Sequence, residues 1–278
     1  MSDKLPLSVV VLAKNEERGI AACVERLADF ADVVVVDSHS DDATAELAAA
    51  AGARVVQFAW DGRYPKKKQW SLDHAGLVHD WVLMLDADEY PTPQLVAELR
   101  ALLPELAQGR FGAYDVTLRY KFAGRFLDHG HRVVKRSLVN RTVTRFPEVD
   151  DLDAPGIREV EGHYQPHTEQ GVGRLRGRIA HDDQDPVASW FERHNRYSGW
   201  EAYLRAHADA RAEVASRRTS KGQVFDRVPF KPLAFFVYSY LVRGGFLDGR
   251  AGFDYAVALS TYYWQIGVKY RELKREGG

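Results

Sequence analysis

The stretch WVLMLDADEYP, residues 81–91, ends an apolar run in three carboxylates, Asp86, Asp88 and Glu89. A short continuous apolar run of this kind is typical of a strand buried inside a parallel sheet. Asp86 and Asp88 lie two residues apart, so they project to the same face of an extended chain. Like charges placed side by side repel unless a cation or water screens them. The stretch therefore predicts either a solvated acidic turn or a site for a hard cation such as Mg²⁺ or Mn²⁺.

The composition of the chain is that of a globular protein. It has 278 residues, of which 45% are hydrophobic and 28% charged, and its formal net charge is −1. This balance carries no basic signal for a nucleic-acid partner. The single cysteine, Cys23, allows no internal disulfide and fits a reducing cytoplasm. We expect no signal peptide, because the apolar run at the start reaches only about Ala13 and no small-residue cleavage site follows it. We expect no membrane-spanning helix, because no apolar run reaches about 18 residues.

Strand and helix patterns alternate over the first hundred residues. The predicted strands cover 7–13, 32–38, 53–59 and 80–86, and the predicted helices cover 16–30, 41–52, 65–75 and 92–106. Such repetition predicts right-handed crossovers and an α/β fold, with a mainly parallel sheet and helices on both faces. From about residue 112 short alternating runs indicate a mixed or antiparallel extension of the sheet. From Pro186 the pattern is helical, so we expect a catalytic domain over 1–184 and a helical region over 185–278.

Polar residues follow each of the four predicted strands, at the edge where ligands bind in such sheets. They are Lys14, Asn15 and Glu16, then Asp37 and Ser38, then Asp61, and finally Asp86, Asp88 and Glu89. A carboxylate in the position of Asp37 can accept hydrogen bonds from a nucleobase or ribose, or it can cap a turn. The lysines at 66–68 could reach phosphates, although a lysine run is also typical of a solvated face.

Four ordered motifs together resemble a known family. SVVVLAKNEE, VVVVDSHSDDAT, KKKQWSLDHA and DWVLMLDADE are similar in type and spacing to family-two inverting glycosyltransferases of the GT-A fold. The resemblance is closest to the branch of lipopolysaccharide-core β-glucosyltransferases. It covers residues 7 to about 100, and it continues more loosely through RLRGRIAHDD and WFERHNRYSGWEAYL.

The resemblance implies a Rossmann-like nucleotide-diphospho-sugar transferase that uses a nucleotide-sugar donor and a divalent cation, Mg²⁺ or Mn²⁺. By this resemblance, Ala13, Asn15 and Glu16 lie beside the nucleotide, and Asp37 binds the base. Lys68 and Gln69 lie beside the base or the diphosphate, and Asp86, with Ala87, lies on the ribose side or contacts a metal-bound water. Asp88 and His181 are the residues at the metal. Glu89 points the other way along an extended chain and is not predicted to be a ligand.

The catalytic base is less well marked. Inversion needs a carboxylate that deprotonates the acceptor hydroxyl. The related branch has a V-H-E motif about 17 residues before its histidine, and this chain has REVEGHYQP instead. Glu161 directly follows Val160 and ranks first, with Glu159 second; an exposed charge pair is the alternative. Glu148 and Asp150 are weaker candidates.

Two other groups have simpler interpretations. His163 and His167 could form a zinc pair, but no clear third ligand accompanies them. Cys23 lies on the apolar face of the first predicted helix and is interpreted as core.

The helical region mixes bulky aromatic residues with Arg and Lys. Its apolar run at 233–242 is too short to span a bilayer. A basic, aromatic helix can lie in a membrane interface, pack on the catalytic domain, or form a homodimer, and the sequence leaves these three alternatives open.

The expected activity is transfer of a hexose, most simply from a UDP-sugar, to a hydroxyl of a glycan or lipid-linked acceptor in envelope polysaccharide or glycolipid biosynthesis. The location would be cytoplasmic, with peripheral contact to the inner face of the membrane as one option. Three alternative functions differ from this one. A phosphatase with an Asp nucleophile would carry its acidic strand first, and a nucleotidyltransferase would carry a Gly-rich basic loop after the first strand, where this chain has AKNEERG. The third is a non-catalytic sugar-nucleotide-binding protein.

Overall fold

The structure is a computed structural model that describes residues 4–148, 165–207 and 230–276. Its internal contacts divide the chain into two compact units. The sheet unit contains the described residues up to 121 together with 133–148 and 165–184. The helical unit contains 122–132, 185–207 and 230–276, so it includes a segment from within the first 184 residues.

Eleven strands are formed by the described residues. They are β1 (Leu5–Ala13), β2 (Phe30–Asp37), β3 (Arg54–Gln57), β4 (Trp81–Asp86), β5 (Glu89–Pro91), β6 (Ala113–Phe122), β7 (Arg125–Phe126), β8 (Val134–Asn140), β9 (Thr144–Arg145), β10 (His167–Thr168) and β11 (Val172–His181). The main sheet runs in the order β3-β2-β1-β4-β8-β6-β11-β5. Its first four strands pair in parallel, as do β6 and β11, whereas β8 is antiparallel to both of its neighbours and β5 is antiparallel to β11. The predicted α/β class with a mixed, mainly parallel sheet is confirmed.

Helices cover both faces of this sheet. They are α1 (Ile20–Glu25), α2 (Thr44–Ala50), α3 (Lys67–His74) and α4 (Pro93–Leu106). Val9 and Val11 of β1 belong to a core that includes residues of α1, α2 and α4, while Val10 belongs to a second core that includes Leu72 of α3. Because alternate residues of a strand face opposite sides of a sheet, a strand covered on both faces must be apolar throughout. This requirement explains the valine-rich strands of the sequence.

The strand register brings the polar strand ends together. Ala13 pairs with Asp37 across β1 and β2, and Leu12 pairs with Asp86 across β1 and β4. Three strands therefore end at one edge of the sheet, where the fold places its ligand crevice.

Two local elements differ from the sequence expectation. The helix predicted over 16–30 is only Ile20–Glu25, because the chain turns after Glu25 to enter β2. Strand β5 was not predicted, since three residues are too few to show a period-2 pattern. One of the alternating runs after residue 112, at 158–165, lies almost entirely outside the described residues.

Strand β11 lies unusually close to α4. Thr92, the N-cap of α4, donates its backbone N–H to the carbonyl of Arg178 at 3.0 Å and its hydroxyl to the same oxygen at 2.8 Å. A Cβ atom on Gly177 would lie 2.4 Å from the Cα of Leu95, so no side chain fits there. This contact fixes the strand that ends in His181.

The helical unit contains α5 (Val187–Ala206), α6 (Lys231–Phe236), a π-helical turn (Val237–Val242), a 3₁₀ turn (Gly245–Asp248) and α7 (Gly249–Glu276). Its core is largely aromatic and includes Phe122, Trp190, Phe235 and Tyr255. Among the helices of the described residues, none is long and apolar enough to cross a membrane.

The Gly177 contact can be tested by stability. We expect Gly177→Ala to lower the free energy of unfolding by about 1–3 kcal/mol, because its new methyl group overlaps the backbone of α4. Gly19→Ala is the control, since nothing lies within 4 Å of its Cβ position, and its cost should stay below about 1 kcal/mol. Urea unfolding followed by circular dichroism measures both. Equal stability of the two variants would contradict the close packing.

Candidate active site

The first wall of the site is the end of β1 and β2. The carbonyl oxygen of Ala13 accepts hydrogen bonds from the backbone N–H of Ser38 at 3.0 Å and from Lys67 Nζ at 2.7 Å. Lys67 is itself buried. The predicted nucleotide-side residue Ala13 is therefore held in place through its backbone by a lysine that sequence reasoning had not singled out.

Asp37 is buried and held by its own loop. Its carboxylate accepts hydrogen bonds from the hydroxyl and backbone N–H of Ser40 and from the side-chain amide of Gln57, the last at 3.0 Å. Burial raises the pKa of this carboxyl. The hydrogen bonds from Ser40 and Gln57 and the charge of Lys67 lower it by more, so the pKa of Asp37 is below its ordinary value. Asp37 is consequently an ionised acceptor in a fixed orientation.

The loops after β1 and β2 are tied to each other. Asn15 has a left-handed backbone with φ of 56°; its N–H donates to the hydroxyl of Ser40 at 2.8 Å, and its side-chain oxygen accepts from the N–H of Asp41 at 2.9 Å. The N–H of Glu16 donates to the hydroxyl of Thr44 at 2.7 Å. The predicted residues Asn15 and Glu16 thus belong to one preformed wall together with the Asp37 loop.

Residues 67–69 at the start of α3 have three different environments. Lys67 contacts β1 as described, and the charge of Lys68 lowers the pKa of Asp86, which places Lys68 on the acidic side of the edge. Gln69 is buried: its amide oxygen accepts from the N–H of Phe146 at 2.7 Å, and its amide nitrogen donates to Asp73 at 2.8 Å. Both ends of the Gln69 amide are therefore hydrogen-bonded within the protein.

An ammonium group lies among the carboxylates that follow β4. Lys135 Nζ lies 2.7 Å from Asp86 Oδ2 and 2.8 Å from both carboxylate oxygens of Glu89. Glu89 is fully buried and also accepts the backbone N–H of Asp86 at 3.1 Å. Ala87 is buried between the two aspartates. Glu89, for which the sequence offered no purpose, links the turn after β4 to Lys135.

The charges of this cluster shift one another. Burial raises the pKa of Asp86, but Lys135 and Lys68 outweigh it and lower that pKa to about 2. Burial and the neighbouring Asp86 raise the pKa of Glu89. Burial lowers the pKa of Lys135, but Glu89 and Asp86 raise it by more, so Lys135 stays protonated. Asp86 is therefore an ionised carboxylate that already faces a cation.

Asp88 and His181 meet on the other side of Asp86. His181 Nε2 lies 3.4 Å from Asp88 Oδ2, and the imidazole stacks on Tyr120 with ring centres 4.4 Å apart. Burial and the charges of Asp86 and Asp183 raise the pKa of Asp88, although His181 opposes this shift. The buried Nδ1 of His181 has no hydrogen-bond partner within the described residues.

This pair offers two ligand types to a divalent cation. The carboxylate of Asp88 is the kind of ligand that Mg²⁺ and Mn²⁺ prefer, whereas the imidazole of His181 suits transition metals better than Mg²⁺. The residues that the structure describes contain no group of three His, Cys, Asp or Glu side chains suited to hold a metal. Of the predicted metal ligands, Asp88 and His181 are brought together, while Asp86 is turned to Lys135.

Four of the remaining candidates, Glu159, Glu161, Asp150 and His163, fall outside the described residues. His167 is exposed on β10 and pairs with Arg145 across β9. Cys23 is in the core, as predicted, and burial raises the pKa of its thiol to about 12.

Lys135 was missed because its partner strand could not be known from the sequence. The antiparallel register of β4 and β8 pairs Trp81 with Asn140 and Leu83 with Leu138. Continued to the end of β4, the same register sets Asp86 opposite Lys135. The only local signal was a lysine inside the strand-like run HRVVKRSL.

The topology, with acidic residues at the ends of its strands, defines the class of the protein, which has a GT-A fold. The family model for glycosyl transferase family 2 matches residues 8–163, more than half of the chain. The chain belongs to this family, and it is a glycosyltransferase by class.

Two relatives show how far the similarity extends. The lipopolysaccharide core biosynthesis glycosyltransferase LpsC of Rhizobium meliloti is 29% identical over 283 residues, which cover 97% of this chain and 93% of that protein. An uncharacterized glycosyltransferase of Rickettsia typhi is 34% identical over 119 residues, which cover 42% of this chain and only 40% of that protein.

Among solved structures, glucosyl-3-phosphoglycerate synthase from Mycobacterium tuberculosis, in complex with Mn²⁺, UDP-glucose and phosphoglyceric acid, is 28% identical. The match covers 43% of this chain and 45% of that one, with a TM-score of 0.33. A TM-score this low carries no argument about the site, so the assignment rests on the family model and on the topology described above.

The role of Lys135 gives a stability prediction. We expect Lys135→Met to lower the free energy of unfolding by about 3 kcal/mol at pH 7, because the buried Glu89 loses its counter-ion. Adding Glu89→Gln should recover part of the loss. The measurement is urea unfolding of the three proteins.

Arg100→Met serves as the control for Lys135→Met. Arg100 pairs with Asp29, and their side chains are 41% and 52% exposed. Arg100→Met should therefore lower the free energy of unfolding by less than about 1 kcal/mol. If Lys135→Met proves no more costly than this control, the ammonium does not stabilise the acidic cluster.

Proposed function

We propose that the protein transfers a hexose from a nucleoside-diphosphate sugar, most simply a UDP-sugar, to a hydroxyl of a glycan or lipid-linked acceptor with inversion. The observation that carries the proposal is the meeting of three acidic groups at one sheet edge: Asp37 on β2, Asp86 on β4, and Asp88 beside His181. Family membership supports the reaction class.

The donor would lie along this edge. Asp37, ionised and fixed, would accept hydrogen bonds from the base, beside the wall that Ala13, Asn15 and Glu16 build. Asp86 would face the ribose or a metal-bound water. Lys68, whose charge reaches Asp86, would add positive charge near the diphosphate. Gln69 would support this wall from within, since its hydrogen bonds go to Phe146 and Asp73.

Asp88 and His181 would hold the divalent cation. When bound, Mg²⁺ or Mn²⁺ would supply charge neutralisation for the departing diphosphate. The protein's own contribution is to give the two aspartates different partners: Lys135 Nζ lies 2.7 Å from Asp86, whereas His181 Nε2 lies 3.4 Å from Asp88.

Glu161 would be the base that takes the proton of the acceptor hydroxyl, with Glu159 as the second candidate. A carboxylate in hydrogen-bond reach of the hydroxyl raises its nucleophilicity as it attacks the anomeric carbon. The diphosphate leaves from the face of the sugar opposite to the attacking hydroxyl, so the configuration at the anomeric carbon is inverted.

The biological setting follows from similarity. LpsC, which aligns with 97% of this chain, is named for lipopolysaccharide core biosynthesis. An envelope glycan or a lipid-linked glycan is therefore the acceptor class we propose, and the cytoplasmic face of the membrane is the place where such an acceptor meets a nucleotide-sugar.

Donor and metal can be tested together by thermal shift. We expect UDP with Mn²⁺ to raise Tm more than UDP alone, and more than GDP, CDP or dTDP with Mn²⁺; a ligand at 100 times its Kd stabilises by about 2.7 kcal/mol. Asp88→Asn should remove the Mn²⁺-dependent part of the shift. Asp29→Asn, at a half-exposed surface site, is the matched control. A UDP shift that is independent of Mn²⁺ in the wild type would contradict the cation site.

The base can be tested by a matched pair of substitutions. Glu161→Gln should lower the transfer rate by about 10²–10⁴-fold and leave the UDP thermal shift unchanged, because the carboxylate acts only on the acceptor. Glu159→Gln should retain most activity. If only Glu159→Gln loses transfer activity, the base is Glu159. If both variants keep full transfer activity, the base does not lie in this segment.

A further inference from the structure

The turn between α6 and α7 exposes a cluster of large apolar side chains. Leu241, Val242, Phe246 and Leu247, here called the apolar tip, have exposed fractions of 55%, 70%, 49% and 61%. They follow one another around a single turn of the helical unit. Single exposed apolar residues are ordinary, but a contiguous group of this kind marks an interaction site.

The apolar tip is built into the fold. The N–H of Arg243 donates to the carbonyl of Tyr238 at 2.8 Å, the wide spacing of the π-helical turn, and the N–H of Leu247 donates to the carbonyl of Gly244 at 2.9 Å. A Cβ atom on Gly245 would lie 2.8 Å from the carbonyl oxygen of Ser239, so the two arms of the turn are in backbone contact. The exposure of these side chains is therefore set by a packed turn.

Apolar ridges lead from the helices to the tip. Leu233 and Val237 are exposed four residues apart on the α6 side, and Phe253 and Val257 are exposed four residues apart on α7. Residues at this spacing lie on one helix face. The opposite faces of the same helices carry the core residues Phe235 and Tyr255. The exposed ridges are thus a second apolar surface, beyond what the core needs.

Exposed arginine side chains flank the tip. Asp248 is turned inward, where it accepts the backbone N–H groups of Asp128 at 3.2 Å and His129 at 2.8 Å and lies 3.0 Å from His129 Nδ1. It keeps only 10% of its side chain exposed. Arg243 is exposed, and Arg250 is 83% exposed even though it pairs with Asp254. Such an exposed pair is weak, so the guanidinium can exchange its partner.

We propose that the apolar tip docks on the surface of a bilayer that contains anionic phospholipid. Leucine, valine and phenylalanine side chains would enter the headgroup region, and Arg243 and Arg250 would contact lipid phosphates. The apolar ridges would extend this contact along the plane of the interface. Docking would bring a lipid-linked acceptor to the enzyme, and this benefit for catalysis rests on the proposed function. The docking of the apolar tip on a bilayer does not depend on the proposed function.

A second copy of the chain fits this surface less well. In a two-fold dimer the same patch meets itself. The interface would then contain Arg243 and Arg250 from both copies, and juxtaposed like charges disfavour such an interface. A lipid surface supplies the opposite charge instead.

The test is co-sedimentation of the full chain with vesicles of phosphatidylglycerol and phosphatidylethanolamine, compared with phosphatidylcholine vesicles. We expect binding to the anionic vesicles that weakens with salt. Leu241→Ser combined with Leu247→Ser should reduce the partition coefficient about tenfold or more, since two exposed leucines lose their burial in the interface. The control is Val78→Ser in the sheet unit, where Val78 is 69% exposed.

Circular dichroism and the UDP thermal shift, measured on every variant, separate loss of docking from loss of fold or of donor binding. Retained donor binding with lost vesicle binding supports the proposal. Equal binding of the double variant and the wild type, no wild-type binding to anionic vesicles, or equal binding to phosphatidylcholine would overturn it. A wild-type dimer that becomes monomeric in the double variant, without vesicle binding, would assign the tip to self-association.

Discussion

The contact of Lys135 with Asp86 and Glu89 is the interaction on which the site depends. Three carboxylates lie within four residues at the end of β4, and one of them is fully buried. Such a cluster would repel itself without a cation close by. The ammonium of Lys135 lies less than 3 Å from carboxylate oxygens of both Asp86 and Glu89 and compensates part of this charge inside the fold.

The same contact gives Asp86 and Asp88 different electrostatic environments. Asp86 is ionised and already paired, so its charge is largely compensated by the protein itself. Asp88 lies instead 3.4 Å from the imidazole of His181. The two aspartates of one DAD sequence thus have different partners, because the register of β8 sets Lys135 opposite Asp86. Glu89 completes the arrangement by holding both Lys135 and the backbone of Asp86.

The order of the strands determines how these groups meet. Strand β8 pairs antiparallel with β4 and supplies Lys135, and strand β11, which pairs antiparallel with β5, ends in His181. Both strands come from the part of the chain after residue 130, far from the DAD sequence along the chain. Gly177 permits β11 to lie against α4, which fixes the level at which His181 reaches the edge.

The sequence by itself determined the class of fold, the first four strands, and the presence of Asp37, Asp86 and Asp88 at strand ends, because valine-rich runs and helical periodicity are local signals that burial imposes directly. It did not reveal Lys67 and Lys135 as buried cations or the environment of Gln69. Those depend on which strands become neighbours and in what register, and pairing between distant segments leaves no local pattern. Only the tertiary structure decided that Asp86 faces an ammonium while Asp88 faces an imidazole.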